Sequence, residues 1–527
     1  MAQPVEIFKD IKGMARDFAV DSMPAGYLWD LVDAIPNRKG ARVEQRGAWD
    51  YFSPAAFGGP IQGGYHAAFT KGQKLLIVAN SRVWDVNLTT GVPTDIGPGP
   101  ARMVQNGVKL NDKVFFFDGS GLTAPTVVTF TGAAPVAVLM TATNAPKAKL
   151  GIAYKGRLVC SGVPATPQNV YFSRLEDDDG GTAGALFGPL APWDVEAFIG
   201  TNTEVTGMAP MAGQILAYHA AAIERIRGGI PPGTDIEVDD MFTESLTEQV
   251  GCTVAHTITP WRENIIFADE RGVFLTDGST VRNLTELGGM GDFWRVTYGT
   301  KHQLATVGAV SAGIFLDYLC VTVNTSVSTR NNSFTLVCDL NTRSWFRFTN
   351  FPAVCYIPSE DAMEQLWVGH LDTDRLVRVS RMFQDVVPPP VPLPDYVDGN
   401  GEPVLSSMTT GFNRLSEAEG MQRLHHVFLS YHHQSFTRAQ ENAALKVEYR
   451  TDPPTPEDID MATGSVTGWT LAGSLPDVAE YSRKKLPVGK RAFGVMVRIT
   501  DIQSSRITRV YSIGVERTSQ DRAKVTT

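Results

Sequence analysis

KLLIVANSRVWDVNLTTG (residues 74–91) reads as an apolar strand, a tight turn, a second apolar strand and a polar turn. Runs rich in Val, Ile and Phe suit a pleated, half-buried surface, and the Asn87-Leu88-Thr89-Thr90-Gly91 segment is built from residues that accept turn angles. The pattern returns as DKVFFFDGSG from Asp112, GRLVCSG from Gly156 and GQILAYHAAAIERIRGG from Gly213. It returns again as ENIIFADERGVFLTDGSTV from Glu263, SFTLVCDLNTRSWFRF from Ser333 and QLWVGHLDTDRLVRV from Gln365. Anchored on Leu75, Val114, Leu158, Ile215, Ile265, Leu336 and Leu366, the spacing is irregular but clusters at about 40 to 55 residues, the range of a four-stranded propeller blade. The expectation is an all-β chain whose larger part is a β-propeller of about seven blades, with six as the alternative count.

Working outward, residues 1–24 form an N-terminal arm that can be drawn as a weak amphipathic helix, with Val5, Phe8, Ile11 and Ala15 three or four residues apart before Pro24. As an arm it is either a solvated cap or a segment that docks on a neighbouring subunit. The propeller is expected over residues 25–385. At residues 386–404 the strand pattern stops in VVPPPVPLPDYVDGNGEPV, and proline, which cannot donate to a sheet ladder, makes this a semi-rigid linker. Residues 405–527 alternate apolar and polar in MQRLHHVFLSYHH, ALKVEYRTD, GWTLAGSL, KRAFGVMVRITD and RITRVYSIGVER, the signature of a β-sandwich.

The chain has 527 residues, too many for one core, a net charge of −9, and 47 basic residues dispersed along it. Wrapping nucleic acid is therefore not expected as the main activity, although a few Lys or Arg repeated by symmetry on an inner ring surface could act locally. Cys160, Cys252, Cys320, Cys338 and Cys355 are scattered in strand-like runs, which points to buried free thiols in a reducing compartment. No secretory leader and no apolar run of membrane-spanning length is read, so synthesis in a cytoplasm is expected.

Four histidines, His425, His426, His432 and His433, suggest a metal, but on one strand His425 and His433 would stand roughly 26 Å apart. Structural or interface roles are favoured for them. Asp177, Asp178 and Asp179, and likewise Asp239 and Asp240, could meet a hard cation but lack an alternating ligand pattern and read as solvated loops. No nucleophile elbow, sialidase box or phosphate-cradling loop is present, so no catalytic, cofactor or metal residue is assigned and no enzyme is expected. Trp29, Trp49, Tyr51, Phe52, Trp193, Phe198, Phe293, Trp294 and Tyr298 sit in irregular segments, as wedges between blades or as interface anchors.

Two clusters resemble a known family. Pro36-Asn37-Arg38-Lys39-Gly40 followed by Arg46-Gly47-Ala48-Trp49, and GMQRLHHVFLSY, KVEYRTD and the run LPVGKRAFGVMVRI from Leu486 to Ile499, resemble propeller-containing tail proteins of tailed bacteriophages, the nozzle, tail-closure and minor tail type. That resemblance implies a structural virion protein: a ring of identical subunits, commonly six, around the DNA exit channel. Its neighbours would be adaptor, portal-proximal or fibre proteins, and its place the virion tail after assembly in the host cytoplasm. An acidic net charge suits a conduit that DNA must leave without sticking. The alternative is a host-surface adhesin that stacks glycans on aromatics such as Trp469 or Tyr481. A propeller glycosidase or lyase comes third.

Overall fold

The computed structural model describes residues 3–8, 11–18, 23–24, 27–36, 43–47, 49–130, 134–140, 145–173, 198–228, 240–299, 310–323, 334–351, 353–359, 366–370, 373–379, 382–383, 406–410, 413–414, 422–435, 445–459, 466–475, 478–492, 494–501 and 506–519. The stretch that opens the sequence reading is the middle of blade one, which pairs Ile61–Phe69, Gly72–Ala79, Arg82–Val86 and Pro93–Pro98 in chain order. Blades two to five repeat the same antiparallel meander, beginning at Val108–Leu110, Leu150–Tyr154, Gly207–Met211 and Thr259–Trp261. Blade six runs from Val310–Phe315 to Ser344–Phe348. Blade seven has Ala353–Ile357, Trp367–His370 and Leu376–Arg378, and its outer strand is Asp50–Tyr51, from ahead of blade one.

Among the described residues the blades therefore number seven, and the ring is closed by the chain's own N-terminal side. Val377 pairs with Tyr51 and Arg378 with Asp50. Inside, His66 Nδ1 lies 2.6 Å from Ser359 Oγ and its amide donates to the Pro358 carbonyl at 3.0 Å, joining blade one to blade seven. The anchor Leu336 proves to be one strand late, because the second strand of blade six is Tyr318–Val323. That shift accounts for the longest and the shortest interval between anchors in the sequence.

Hydrophobic clusters sit between blades rather than within one centre. Leu75, Ile77, Ile357 and Trp367 fill the wedge between blades seven and one, and Ile152, Val170, Met208 and Ile215 that between blades three and four. Where blades converge, bulk must be absent: a Cβ on Gly151 would lie 2.1 Å from the Phe117 ring, and one on Gly313 2.6 Å from Tyr356. Close packing of this kind is what a large-to-small or small-to-large change disturbs most.

The second unit is a two-sheet sandwich. One sheet pairs Val478–Ala492, Gln422–Ser435 and Arg506–Ser519, with Val43–Gln45, Ala34–Pro36 and Gln3–Phe8 added from the N-terminal side. The other pairs Tyr27–Val32, Ser407–Thr410, Gly494–Asp501, Leu445–Arg450 and Thr470–Leu475. Through Gly13–Met14 this second sheet continues into Ser344–Phe348 of blade six, as one eleven-stranded sheet. Leu31, Met408, Val447 and Ile499 of the sandwich share one core with Val337, Phe346 and Phe348 of blade six.

Three expectations change accordingly. The N-terminal segment is a strand over Gln3–Phe8, not a helix: Val5 and Ile7 also satisfy a period of two, and the long strand Arg506–Ser519 offers an edge that an isolated helix lacks. The arm pairs with its own chain, and residues 27–45, expected within the propeller, belong to the sandwich, so the propeller proper starts at Asp50. The proline-rich linker 386–404 lies outside the described residues.

Candidate interaction surfaces

Asp30 and Asp33 stand in the apolar run YLWDLVDAIP, where a buried charge must find a partner or the strand cannot be buried. Asp30 finds it on blade six, and Asp33 finds it in Arg46 together with Thr349 just past blade six. Arg347 donates to Asp30 through Nε at 3.0 Å and Nη2 at 2.7 Å, and Arg16 Nη2 lies 3.1 Å from the same carboxylate. Burial would raise the Asp30 pKa, but the guanidiniums of Arg347 and Arg16 more than reverse this and hold it below the ordinary carboxylate range. Arg16 also lies over Trp29 and Phe293, 4.9 Å and 5.2 Å from the ring centres. Asp33, with φ 50°, accepts Arg46 Nε at 2.6 Å, the Thr349 amide at 3.1 Å and the Thr349 hydroxyl. These contacts fasten the sandwich to the propeller, so the two units present their surfaces in one fixed relation.

The axial side is crossed by chain. The connector from blade one to blade two crosses it: Met103 is buried, its carbonyl lies 3.4 Å from His256 Nε2 of the turn before blade five, and Asn106 Nδ2 donates to the Tyr356 carbonyl of blade seven at 2.8 Å. Burial pushes the His256 pKa down to about 4, against a smaller upward pull from the Met103 carbonyl, so the ring is neutral near pH 7. The seven innermost strands, Ile61–Phe69, Val108–Leu110, Leu150–Tyr154, Gly207–Met211, Thr259–Trp261, Val310–Phe315 and Ala353–Ile357, contain no Asp or Glu. A pair of carboxylates flanking a glycosidic bond has no source on those strands.

The outer rim differs from blade to blade. Val136–Leu139, the last strand of blade two, pairs with Thr126–Thr129 on one side and with no described strand on the other. Val136, Val138 and Leu139 are exposed, as are Leu122 in the loop before Thr126 and Val92 beside blade one. Gly97 lets blade one's outer strand press on this one, since a Cβ there would lie 2.2 Å from the Ala137 carbonyl oxygen. No charged residue occurs from Gly119 to Pro146. Soluble proteins ordinarily blunt such an edge with Lys, Pro or a covering segment, and an exposed apolar patch marks an interaction site.

The residues singled out in the sequence are dispersed over these surfaces. His425 and His426 lie on the strand Gln422–Ser435, with rings 6.5 Å apart, and His426 Nδ1 is 2.7 Å from Glu516. His432 and His433 continue that strand. No group of three metal-ligating side chains forms among the described residues. Asp240 is exposed, while Asp177, Asp178, Asp179, Asp239 and Trp193 lie outside the described residues. Trp29, Trp49, Phe293 and Trp294 are buried, and Tyr51 and Phe52 are half-buried. Trp49 packs edge-on to Tyr51 at 5.2 Å and donates to the Asn350 carbonyl at 3.0 Å. Phe198 begins the outer strand of blade three and Tyr298 lies in the helix Gly291–Gly299, whose first amides donate to Asp17. Trp469 is half-buried with Arg498 4.6 Å over its ring, and the Tyr481 side chain lies outside the described residues. All five cysteines are free and buried. Asp30, Asp33 and Arg347 escaped the sequence reading, although a charge inside an apolar strand was the available signal, and Arg46 entered it only as part of a resemblance and not as a partner of Asp33.

No family model and no curated protein sequence matches the chain. Among solved structures, similarity extends to the computationally designed protein Ika8, at 10% identity over 62% of this chain and 99% of that one, with a TM-score of 0.35. YCF48 from Cyanidioschyzon merolae matches at 10% identity over 63% of this chain and 98% of its own, TM-score 0.35. A chain of the mitotic checkpoint complex matches at 9% identity over 60% and 87%, TM-score 0.35. Likeness at this level carries no weight for function. The propeller stands on its own strand order.

No described helix is long and apolar enough to cross a membrane.

Proposed function

We propose that the chain is a structural component of a bacteriophage virion tail that assembles with copies of itself into a ring around the DNA exit channel. The tail assignment rests on the resemblance of the segments at Pro36–Trp49 and Leu486–Ile499 to tail proteins. The observation that carries the assembly is the uncharged rim of blade two, where Val136, Val138 and Leu139 stand exposed on a strand whose outer side pairs with no described strand. These side chains are already about half buried, so covering the rest of each contributes about 1 kcal/mol, and a closed ring repeats that gain at every interface. The connector that crosses the axial side supports a channel that runs between subunits, not through one propeller.

Light scattering or mass photometry of the purified protein tests this. A ring-sized mass that falls to the monomer in Val138→Lys, with the melting temperature unchanged, is expected. A monomer at all concentrations, or a protein absent from purified particles, ends the proposal. Glycan recognition would need an open aromatic platform, and Trp469 has one face under Arg498.

A further inference from the structure

We propose that the edge strand Val478–Ala492, together with Arg423 beside it, is a contact surface for the phosphate backbone of double-stranded nucleic acid. Arg483, Lys484, Lys485, Lys490 and Arg491 are all exposed on that strand, and Arg423 is exposed on the next. Among the described side chains of the three strands of this sheet end, the one carboxylate is Glu516, and it is already shared by Lys485 at 3.2 Å and His426 at 2.7 Å. Arg423, Lys484, Lys490 and Arg491 make no ion pair with a described residue.

The register sharpens this. Arg423 is directly opposite Arg491, and Leu424 stands between Lys490 on one side and Arg517 on the other. Like charges directly opposite each other in an antiparallel pair destabilise the sheet. A local rule broken without compensation inside the fold marks a place where something outside supplies it. The setting is selective as well: the whole chain carries −9, yet residues 405–527 hold 16 Lys and Arg against 13 Asp and Glu.

The partner follows from the shape of the stripe. From Lys484 to Arg491 the strand spans about 23 Å at about 3.3 Å per residue, a length over which duplex DNA presents on the order of a dozen phosphate charges. Leu486 and Val488 are packed against the core, and among the described side chains of this strand no large apolar or aromatic group is exposed. Membrane insertion would need apolar anchors, and a single strand would need aromatic platforms. A run of exposed cations along one sheet edge, most of them without an ion-pair partner among the described residues, fits a stiff polyanion.

The test uses the full chain and a fluorescent duplex of about 30 base pairs, followed by anisotropy between 50 and 200 mM salt. Binding at 50 mM salt is expected, with the triple variant Lys484→Glu, Lys490→Glu and Arg491→Glu at least about tenfold weaker and its salt slope lower by about two to three. Arg491→Glu alone places opposite charges across from each other, so it should melt at a higher temperature than the parent while binding duplex less well; a merely structural role for Arg491 predicts no such split. No binding at 50 mM salt, an unchanged triple variant, or phosphatidylserine vesicles that displace the duplex overturns the proposal. A ring that ignores duplex leaves the assembly reading standing, and a monomer that binds duplex through these residues leaves this surface standing.

Discussion

Arg347 grips Asp30 with two hydrogen bonds, 2.7 Å and 3.0 Å, across 317 positions of sequence, and so ties the outer strand of blade six to a strand of the sandwich. Asp30→Ala would leave Arg347 and Arg16 buried without their carboxylate. Breaking one partner of a buried pair costs about 3–5 kcal/mol, and that loss should appear in urea unfolding followed by tryptophan fluorescence. Because the Asp30 pKa is lowered in the fold, its contribution is present above the unfolded aspartate value and disappears as pH falls through the lowered one. A small loss in Asp30→Ala would mean that the seam is held by the shared apolar core alone.

His256 gives a second pH dependence of opposite chemistry. Its imidazole is held at about 4 when folded, against 6.5 when free. Between those values the unfolded chain binds more protons, so stability should fall by about 3 kcal/mol as pH drops from 6.5 to 4, and no further below. His256→Gln keeps a donor for the Met103 carbonyl and cannot titrate there. Its stability curve should be flatter across that window, measured by denaturant midpoints at half-unit steps of pH.

Burial pushes the Cys252 thiol up to about 11 and Cys355 to about 12, and it moves Cys160, Cys320 and Cys338 upward as well. Thiolate is the reacting form. The native protein should show no fast-reacting thiol toward an aromatic disulfide at pH 8, and all five should appear in denaturant. A fast native thiol would indicate a wedge between blades that opens.

Leu316 holds φ 56° and Asp317 φ 90° in the hairpin joining Val310–Phe315 to Tyr318–Val323. Asp317 gains from its place, because it accepts Trp261 Nε1 at 3.0 Å and Asn341 Nδ2 at 2.9 Å, locking blade five to blade six. Leu316 has no such return, and a left-handed conformation costs a branched apolar residue about 1–2 kcal/mol. Leu316→Asn should therefore raise stability by about 0.5–1 kcal/mol, read as a higher urea midpoint at constant slope.

The propeller was legible because blades one to five are local meanders. Each strand pairs with its sequence neighbour, so KLLIVANSRVWDV and its counterparts carry the pairing in their own periodicity. The N-terminal segment was not: QPVEIF satisfies helix and strand spacing alike at that length, and the choice was made by an edge of Arg506–Ser519 that lies 500 residues away in order of magnitude. The rim of blade two was half legible. Its freedom from charge stands in the sequence, but only the strand order shows that Val136–Leu139 is the outermost strand of blade two among the described residues.

Composition and periodicity alone determined the class of structure, the repeated blade, the sandwich and the buried thiols, since each depends on residues close together in the chain. Ring closure by Asp50–Tyr51, the seam of Asp30 with Arg347, and the facing arginines 423 and 491 were decided by tertiary structure. Those pairings join segments that no local pattern connects: the seam of Asp30 with Arg347 holds only where carboxylate and guanidinium offset each other's desolvation in the joined core, and Arg423 meets Arg491 only through the strand register.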